Sequence, residues 1–523
     1  MRPQVSVLII LVATLAAPVA DAGTEIALPY EREDWVTNET MIDELVLAVL
    51  EENRIKPAHP CSDEVFFRRV YVDLTGTLPE PEASLKFLAD RNPQKRAVVI
   101  DELLETEEFA DYATLKWCDI LRVKAEFPIN LWPNGVQAYY RWLHDAVRDD
   151  MPYDQFARAL LTSSGSNFRV APVNFYRAIQ GTEPRTIATA VALTFMGTRL
   201  GDWPEEEQAN LTAFFSRVGF KGTAEWKETI VSLDPAATEP LDAILPDGTP
   251  VHIAVGEDPR VVFADWLITP GNPWFARSIV NRVWSWLIGR GIIHEPDDIH
   301  TYSVPVNPEL LDYLEQELVE NDYDLQHLYW RILNSRTYQQ SSISQSTGME
   351  PEAYFAHYMV RPLGAEVLMD ALCWLSDTGE GYSSAIPEPF TWVPDYRSTV
   401  SLADGSTTSQ FLVTFGRPSR DTGLESERNN KPTDGQRLYL LNASDVQRRI
   451  QRSPKIRQIM TDAGYKPAGI TQGLYLLILS REPTREEMAA AADYFANGGQ
   501  RVTQATVDLA WALVNTKEFL YKH

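Results

Sequence analysis

The chain has 523 residues, 44% of them hydrophobic and 23% charged, with 73 acidic against 47 basic side chains for a net charge of −26. This is the composition of a folded protein, and so acidic a surface repels a phosphate backbone, which excludes nucleic acid as an expected partner. One hydrophobic core stops growing near roughly 250–300 residues, so length alone predicts two or more domains.

The first element reads as a secretory signal. Arg2 gives a positive start, Val5 to Ala17 form an apolar run, and Ala20-Asp21-Ala22 makes a small-x-small cleavage site. The mature chain is expected to begin at Gly23 and to lie in the periplasm, at the cell surface or outside the cell. The apolar run is shorter than the roughly 20 residues a membrane span needs. No later stretch is long and apolar enough either, so no transmembrane segment is expected in the mature chain. No cysteine follows the cleavage site to accept a lipid.

From Asn38 to about Leu200 apolar residues recur at three- and four-residue steps, which predicts helices. Ser62 followed by Asp63 and Glu64 suits a helix N-cap with an acidic first turn. Thr75-Gly76-Thr77-Leu78-Pro79 ends that helix, and Glu80-Pro81-Glu82 opens the next. Between Ser232 and Pro259 the pattern changes: Leu245-Pro246-Asp247-Gly248-Thr249-Pro250 and Val251 to Val255 predict a turn and short strands. Helical spacing returns at Arg260 and holds to about Asp377. Gly379 to Gly423, rich in Gly, Pro, Ser and Thr, reads as long surface loops with one hairpin, and the last helices start near Ser444. The expected fold is therefore mostly α: helical domains over 23–231 and 260–523 joined by a β-containing segment over 232–259.

The two ends of the chain echo each other. Tyr71, Leu74, Pro79 and Glu82 recur at the offsets of Tyr475, Ile478, Pro483 and Glu486, and the copies close on Glu108-Phe109 and Glu518-Phe519. Two copies fall short of a solenoid, so the echo predicts a pair of similar helical units. The three cysteines, Cys61, Cys118 and Cys373, form no C-x-x-C pair. In an exported chain one disulfide with one free thiol is possible, and buried, inert thiols are the expectation.

Several motif pieces carry a resemblance. Cys61-Ser62-Asp63-Glu64-Val65-Phe66-Phe67-Arg68-Arg69-Val70-Tyr71-Val72-Asp73-Leu74-Thr75-Gly76-Thr77-Leu78-Pro79, Trp117 and Asn174-Phe175-Tyr176-Arg177 are similar to the N-terminal domain of the planctomycete cytochrome-type proteins. Asn272-Pro273-Trp274-Phe275-Ala276-Arg277, Asn281-Arg282-Val283-Trp284, Gly289-Arg290-Gly291, Asn334 to Gln339 and Phe415-Gly416-Arg417-Pro418 resemble the C-terminal domain that accompanies it. The similarity runs through nearly the whole mature chain in the same order. The family has no settled function. Many relatives carry C-x-x-C-H-x-H-P, which suits covalent haem attachment; here Phe195-Met196-Gly197-Thr198-Arg199-Leu200 runs straight into Gly201-Asp202-Trp203-Pro204. Where relatives often show Cys-x-Cys before Glu-Arg, this chain has Leu424-Glu425-Ser426-Glu427-Arg428. Covalent haem c is not expected, and no cofactor is predicted.

The densest polar group is Arg417, Arg420, Asp421, Glu425, Glu427 and Arg428 with Asn429 and Asn430. Arginine forks match carboxylates and sulfates, so the loop has the means to hold an acidic sugar while Glu425 and Glu427 act as acid or base. The plainer reading is mutual ion pairing that pins a long loop over the core. Glu366 and Asp370, one helical turn apart, are further candidate acids, with Arg361 as the expected counter-ion and His357 nearby. Arg282 and Arg336 either line a cleft or bond to helix ends. His294, Asp297, Asp298 and His300 are candidate metal ligands in no recognised spacing; a solvated loop whose aspartates cap the helix at Pro308-Glu309 is the alternative. Nucleophile-elbow, P-loop, zinc-protease and dinucleotide motifs are absent. Gly289 is expected to end a helix.

The signal, the missing haem motif and the 14 tryptophans point to a cofactor-free binding or assembly component, with an exported protein or an acidic or sulfated polysaccharide as partner. A hydrolase or lyase acting on such a polysaccharide is one alternative, with its acids between the domains. Non-covalent haem or metal binding through His294 and His300 is another.

Overall fold

The computed structural model describes residues 26–35, 37–300, 302–394, 396–428 and 431–523. The expected signal and cleavage site, Asn429 and Asn430 lie outside these residues. Among them are 25 α-helices and only short strands. Ser62 caps the helix Asp63–Leu74 as its sequence predicts, accepting from the Val65 amide at 3.3 Å. Gly289, at φ +107°, ends the helix Phe275–Ile288.

The segment predicted to hold strands forms an antiparallel hairpin, Leu241–Ile244 against Pro250–Ile253. A three-stranded sheet precedes it, with Thr229–Leu233 between Gly165–Ser166 and Val218–Gly222. No sequence signal had marked that sheet. Two apolar cores fill the molecule. One draws on residues from Ile42 to Tyr358 with Ile386, and the other joins Val72, Leu78, Tyr112 and Leu115 to residues from Leu363 to Phe519. Packing thus runs without a break across the 232–259 segment.

The echo at the two ends is a repeated local structure. Asp63–Leu74 and Pro81–Ala89 correspond to Pro467–Leu479 and Arg485–Asn497. Each copy's closing helix starts with threonine: Thr106 accepts from the Phe109 amide and Thr516 from the Phe519 amide, both at 3.2 Å. Ser335 does the same for Tyr338 at 3.2 Å.

Gly379 to Gly423 departs from its reading as surface loops. Thr399, Val400, Leu402 and Asp404 are buried, the helix Gln410–Thr414 lies inside the stretch, and the expected hairpin is a single bridge between Ser383 and Thr408. Composition signalled the absence of regular structure, and burial became possible because carboxylates pair with the loop's amides. The last helices begin at Asp434, ahead of the predicted start.

Buried arginines join these parts. Arg68 donates to the Ile478 carbonyl at 2.9 Å and the Phe519 carbonyl at 3.3 Å, tying one echo unit to the other. Arg69 donates to Tyr338, Gln340 and His523 carbonyl-side oxygens at 2.6, 2.9 and 2.9 Å. Arg361, expected to pair with Glu366 and Asp370, instead donates to Trp286 and Leu287 carbonyls at 3.1 and 2.9 Å. It thereby serves the last turn of Phe275–Ile288, where carbonyls lack helical partners. Arg68→Ala is expected to cost about 3 kcal/mol by leaving buried carbonyls unpaired, seen as a lower urea midpoint. Arg437→Ala removes only an exposed pair with Asp434 and is expected to leave the midpoint unchanged.

Candidate functional site

The candidate clamp in the 417–428 loop is a closed ion-pair lattice. Asp119, at the end of the helix Glu107–Ile120, accepts from Arg420 Nε at 2.8 Å and from Arg428 Nη2 at 2.6 Å. Arg428 Nη1 reaches Glu366 at 2.7 Å, and Arg417 Nε stands 3.4 Å from the same carboxylate. Glu366 is 0% exposed and Arg420 0% exposed, so neither presents a charge to solvent. Burial alone would raise the Glu366 carboxyl, but Arg428 and then Arg417 outweigh it and hold it at about 2. Arg420 also donates to the Ala403 carbonyl at 2.8 Å, and Arg417 to the Thr407 and Asp404 carbonyls. Sequence reasoning missed Asp119, the carboxylate that joins Arg420 to Arg428, because it lies some 300 positions from both.

The other candidate acids have different fates. Asp370 accepts from Ser398 Oγ at 2.5 Å and from the amides of Thr399 and Val400 at 2.7 and 2.9 Å. Glu427 accepts from the Ser419 hydroxyl and from the amides of Asp421 and Thr422 at 2.9 and 3.1 Å. Both anchor loop backbone. Glu425 stands apart: among the described residues its carboxylate meets no arginine and accepts from the Trp286 indole N–H, while its amide donates to Asp297 at 2.5 Å. Burial and the nearby Asp297 charge push its carboxyl up.

Arg282 is fully buried and bonds to the Leu193 and Thr194 carbonyls and to Asp297, the last at 2.9 Å. Arg336 is partly exposed, 3.3 Å from Glu39, with its guanidinium 5.3 Å from the Trp35 ring centre. The aspartates expected to cap the helix Pro308–Glu320 do not; Asn307 does, accepting from Leu310 at 3.0 Å. Asp297 goes to Arg282, and Asp298 lies 2.9 Å from His300 Nε2. Asp202, Asp298 and His300 present ligand atoms within 4.8 Å of one another, while His294 is outside this group beside Glu295. Arg199, 3.7 Å from Asp298, already supplies a positive charge there. The three thiols are free, with Cys61 and Cys118 buried and Cys373 half-buried; burial pushes Cys118 and Cys373 up to about 12.

A polar recess of about 550 Å3 runs along the helix Trp132–Arg148, beside the loop 386–397. Tyr140, Arg141 and His144 face Trp392, Tyr396 and Arg397 across it. A hydrogen bond donated to the Asp111 carboxylate raises His144. Arg397 donates to Tyr140 Oη at 3.4 Å, which pins the loop to the helix. At the helix start Trp132 meets Phe390 at 5.7 Å and Trp226 at 6.4 Å between ring centres. Trp226, Phe390, Trp392 and Tyr396 are 69, 55, 62 and 88% exposed. The sequence signal for this face was available: Phe390, Trp392 and Tyr396 crowd into a Pro-rich stretch with no helical period to bury them.

Residues 41–215 match the family model PSCyt2, and residues 259–495 match PSD1; each is described as a protein of unknown function, DUF1549 and DUF1553 respectively. Their order agrees with the paired N- and C-terminal domains of the sequence resemblance. No curated protein and no solved structure matches the chain significantly.

A carboxylate with a folded value below its unfolded one stabilises the fold above the unfolded value and loses that contribution as pH falls through the folded one. Glu366 should therefore contribute fully at neutral pH and progressively less from about 4.5 down to about 2. Glu366→Gln is expected to lower the urea midpoint at pH 7 and to flatten the acid limb of a stability-versus-pH series in that window.

Proposed function

We propose that this protein, joining a PSCyt2 region to a PSD1 region, is a cofactor-free binding or assembly component of the periplasm or cell surface whose ligand is a glycan. The carrying observation is the recess along Trp132–Arg148, where strongly exposed aromatic rings border hydrogen-bonding side chains. Sugar rings offer apolar C–H faces to aromatic rings and hydroxyls to planar polar groups, and a recess combining both suits them. Isolated exposed tryptophans are ordinary, but Trp392 and Tyr396 together on the wall of a polar groove favour a recognition surface.

The charge balance favours an uncharged sugar polymer. Arg141, Arg397 and His144 share the recess with Glu107, Asp111 and Asp145, and the chain carries −26 overall. An anionic polymer would have needed Arg417, Arg420 and Arg428, whose charges Asp119 and Glu366 already answer. The hydrolase or lyase reading loses three of its four acids to closed contacts, which is why binding is preferred.

Affinity electrophoresis of the mature chain through gels holding xylan, β-glucan or dextran sulfate tests this. Retardation by a neutral polymer is expected, weakened at least tenfold, about 1.4 kcal/mol, in Trp392→Ala/Tyr396→Ala. Retardation by dextran sulfate alone, or a double variant that binds as well as the parent, would overturn the reading.

A further inference from the structure

The helix Glu107–Ile120 carries one cation, Lys116, with no hydrogen-bond or ion-pair partner among the described residues. Arg68, Arg69, Arg282, Arg361, Arg420 and Lys522 all donate to buried oxygens. Lys116 is half-buried, yet among the described residues it makes no hydrogen bond and no ion pair. Its amine lies only against two aromatic rings, 4.8 Å from the centre of Tyr112 and 5.4 Å from that of Trp286. Aromatic faces attract an ammonium weakly and leave its nitrogen free of any acceptor.

Three groups meet around this amine. Tyr112 lies one turn before Lys116 on the same helix, and its hydroxyl is 3.5 Å from Lys522 Nζ. Lys522 is neutralised by Asp73 at 2.6 Å, so it does not compete for Glu425. Trp286 carries both partners at once, with the Lys116 amine near its ring and its indole N–H donating to the Glu425 carboxylate. The same indole forms part of the wall of a small apolar pocket with Ala113, Trp117 and Tyr329. Trp286, which lines an apolar recess, thus links a free amine to a carboxyl, on elements from both family regions.

We propose that Lys116 is a nucleophilic amine that captures small aldehydes, including the open-chain form of an aldose, as a Schiff base, with Glu425 as the proton donor. The amine lone pair forms the C–N bond to the carbonyl carbon, and the C=O π pair moves to oxygen, which takes up a proton to give the carbinolamine. That proton comes from the attacking nitrogen; Glu425 then protonates the departing hydroxyl, water leaves, and the nitrogen loses its remaining proton to the Glu425 carboxylate. The balance is aldehyde plus lysine amine giving imine plus water. The surroundings fit the chemistry: burial, together with the Lys522 and Arg428 charges, lowers the Lys116 ammonium, which favours the neutral amine, while burial raises Glu425 and favours its protonated form. Shifts of opposite kind on neighbouring groups mark acid and base roles in reactive sites. This inference is independent of the glycan reading, because none of Lys116, Tyr112, Trp286 and Glu425 lines the aromatic recess.

Reductive trapping tests it. The mature protein is incubated with glycolaldehyde and cyanoborohydride at neutral pH, and modification at each lysine is followed over time by peptide mass spectrometry. Lys116 is expected to be modified at least tenfold faster than the exposed Lys86 and Lys221. Glu425→Gln, which keeps an acceptor for the Trp286 indole, is expected to slow Lys116 by at least fivefold and leave Lys221 unchanged. Lys116 reacting no faster than Lys221 in the parent protein would overturn the nucleophile; an undiminished rate in Glu425→Gln would overturn the proton donor.

Discussion

Arginine guanidinium groups bonded to buried backbone carbonyls are the interaction on which this architecture rests. A helix end or an irregular loop leaves carbonyls without partners, and burying them unpaired costs about 1–3 kcal/mol each. This chain places a five-donor fork at such points: Arg68 and Arg69 from one helix reach both echo units and the chain's last residue. Arg361 serves the end of Phe275–Ile288, and Arg282 serves the turn after Pro184–Val191. Because these bonds join segments far apart in sequence, they add to the packing, the ion pairs and the backbone bonds, such as Gly405 N–H to the Val123 carbonyl at 3.0 Å, that hold the two apolar cores together.

That use of arginine explains why the densest charge cluster carries structure rather than recognition. The loop 417–428 brings three arginines over the core, and Asp119 and Glu366 meet them from two helices. Each buried charge has its counter-charge and few donors remain to greet a ligand, which is the condition under which buried ions are tolerated. Openness is found elsewhere. Exposed rings on the 386–397 loop and at Trp226 have no interior to enter, and the Lys116 amine faces rings rather than oxygens. Candidate chemistry therefore follows from what the lattice leaves unsatisfied.

Much of the fold was legible. Periodicity located most helices, Ser62 and Gly289 marked their ends, and Leu245 to Val255 announced a hairpin, because these signals depend on neighbours a few residues away. The echo of Tyr71 with Tyr475 disclosed repeated units for the same reason. What escaped the sequence was long-range. Asp119 gave no sign that it would meet Arg420, nor Asp73 that it would meet Lys522, and the buried state of Thr399 to Asp404 depended on amide partners at Asp370 and in the loop itself. For the site, residue types were legible and their availability was not: Arg417, Glu366 and Glu427 had the chemistry of a clamp but not its exposure. The aromatic row was visible as composition in a proline-rich stretch, yet its alignment with Trp132–Arg148 required the fold.

The account's central claim is that the arginine bonds make one cooperative body of the two family regions. Differential scanning calorimetry of residues 23–523 tests this most directly. One transition, with calorimetric and van't Hoff enthalpies that agree, is the predicted result; two resolved transitions, one for each region, would contradict it.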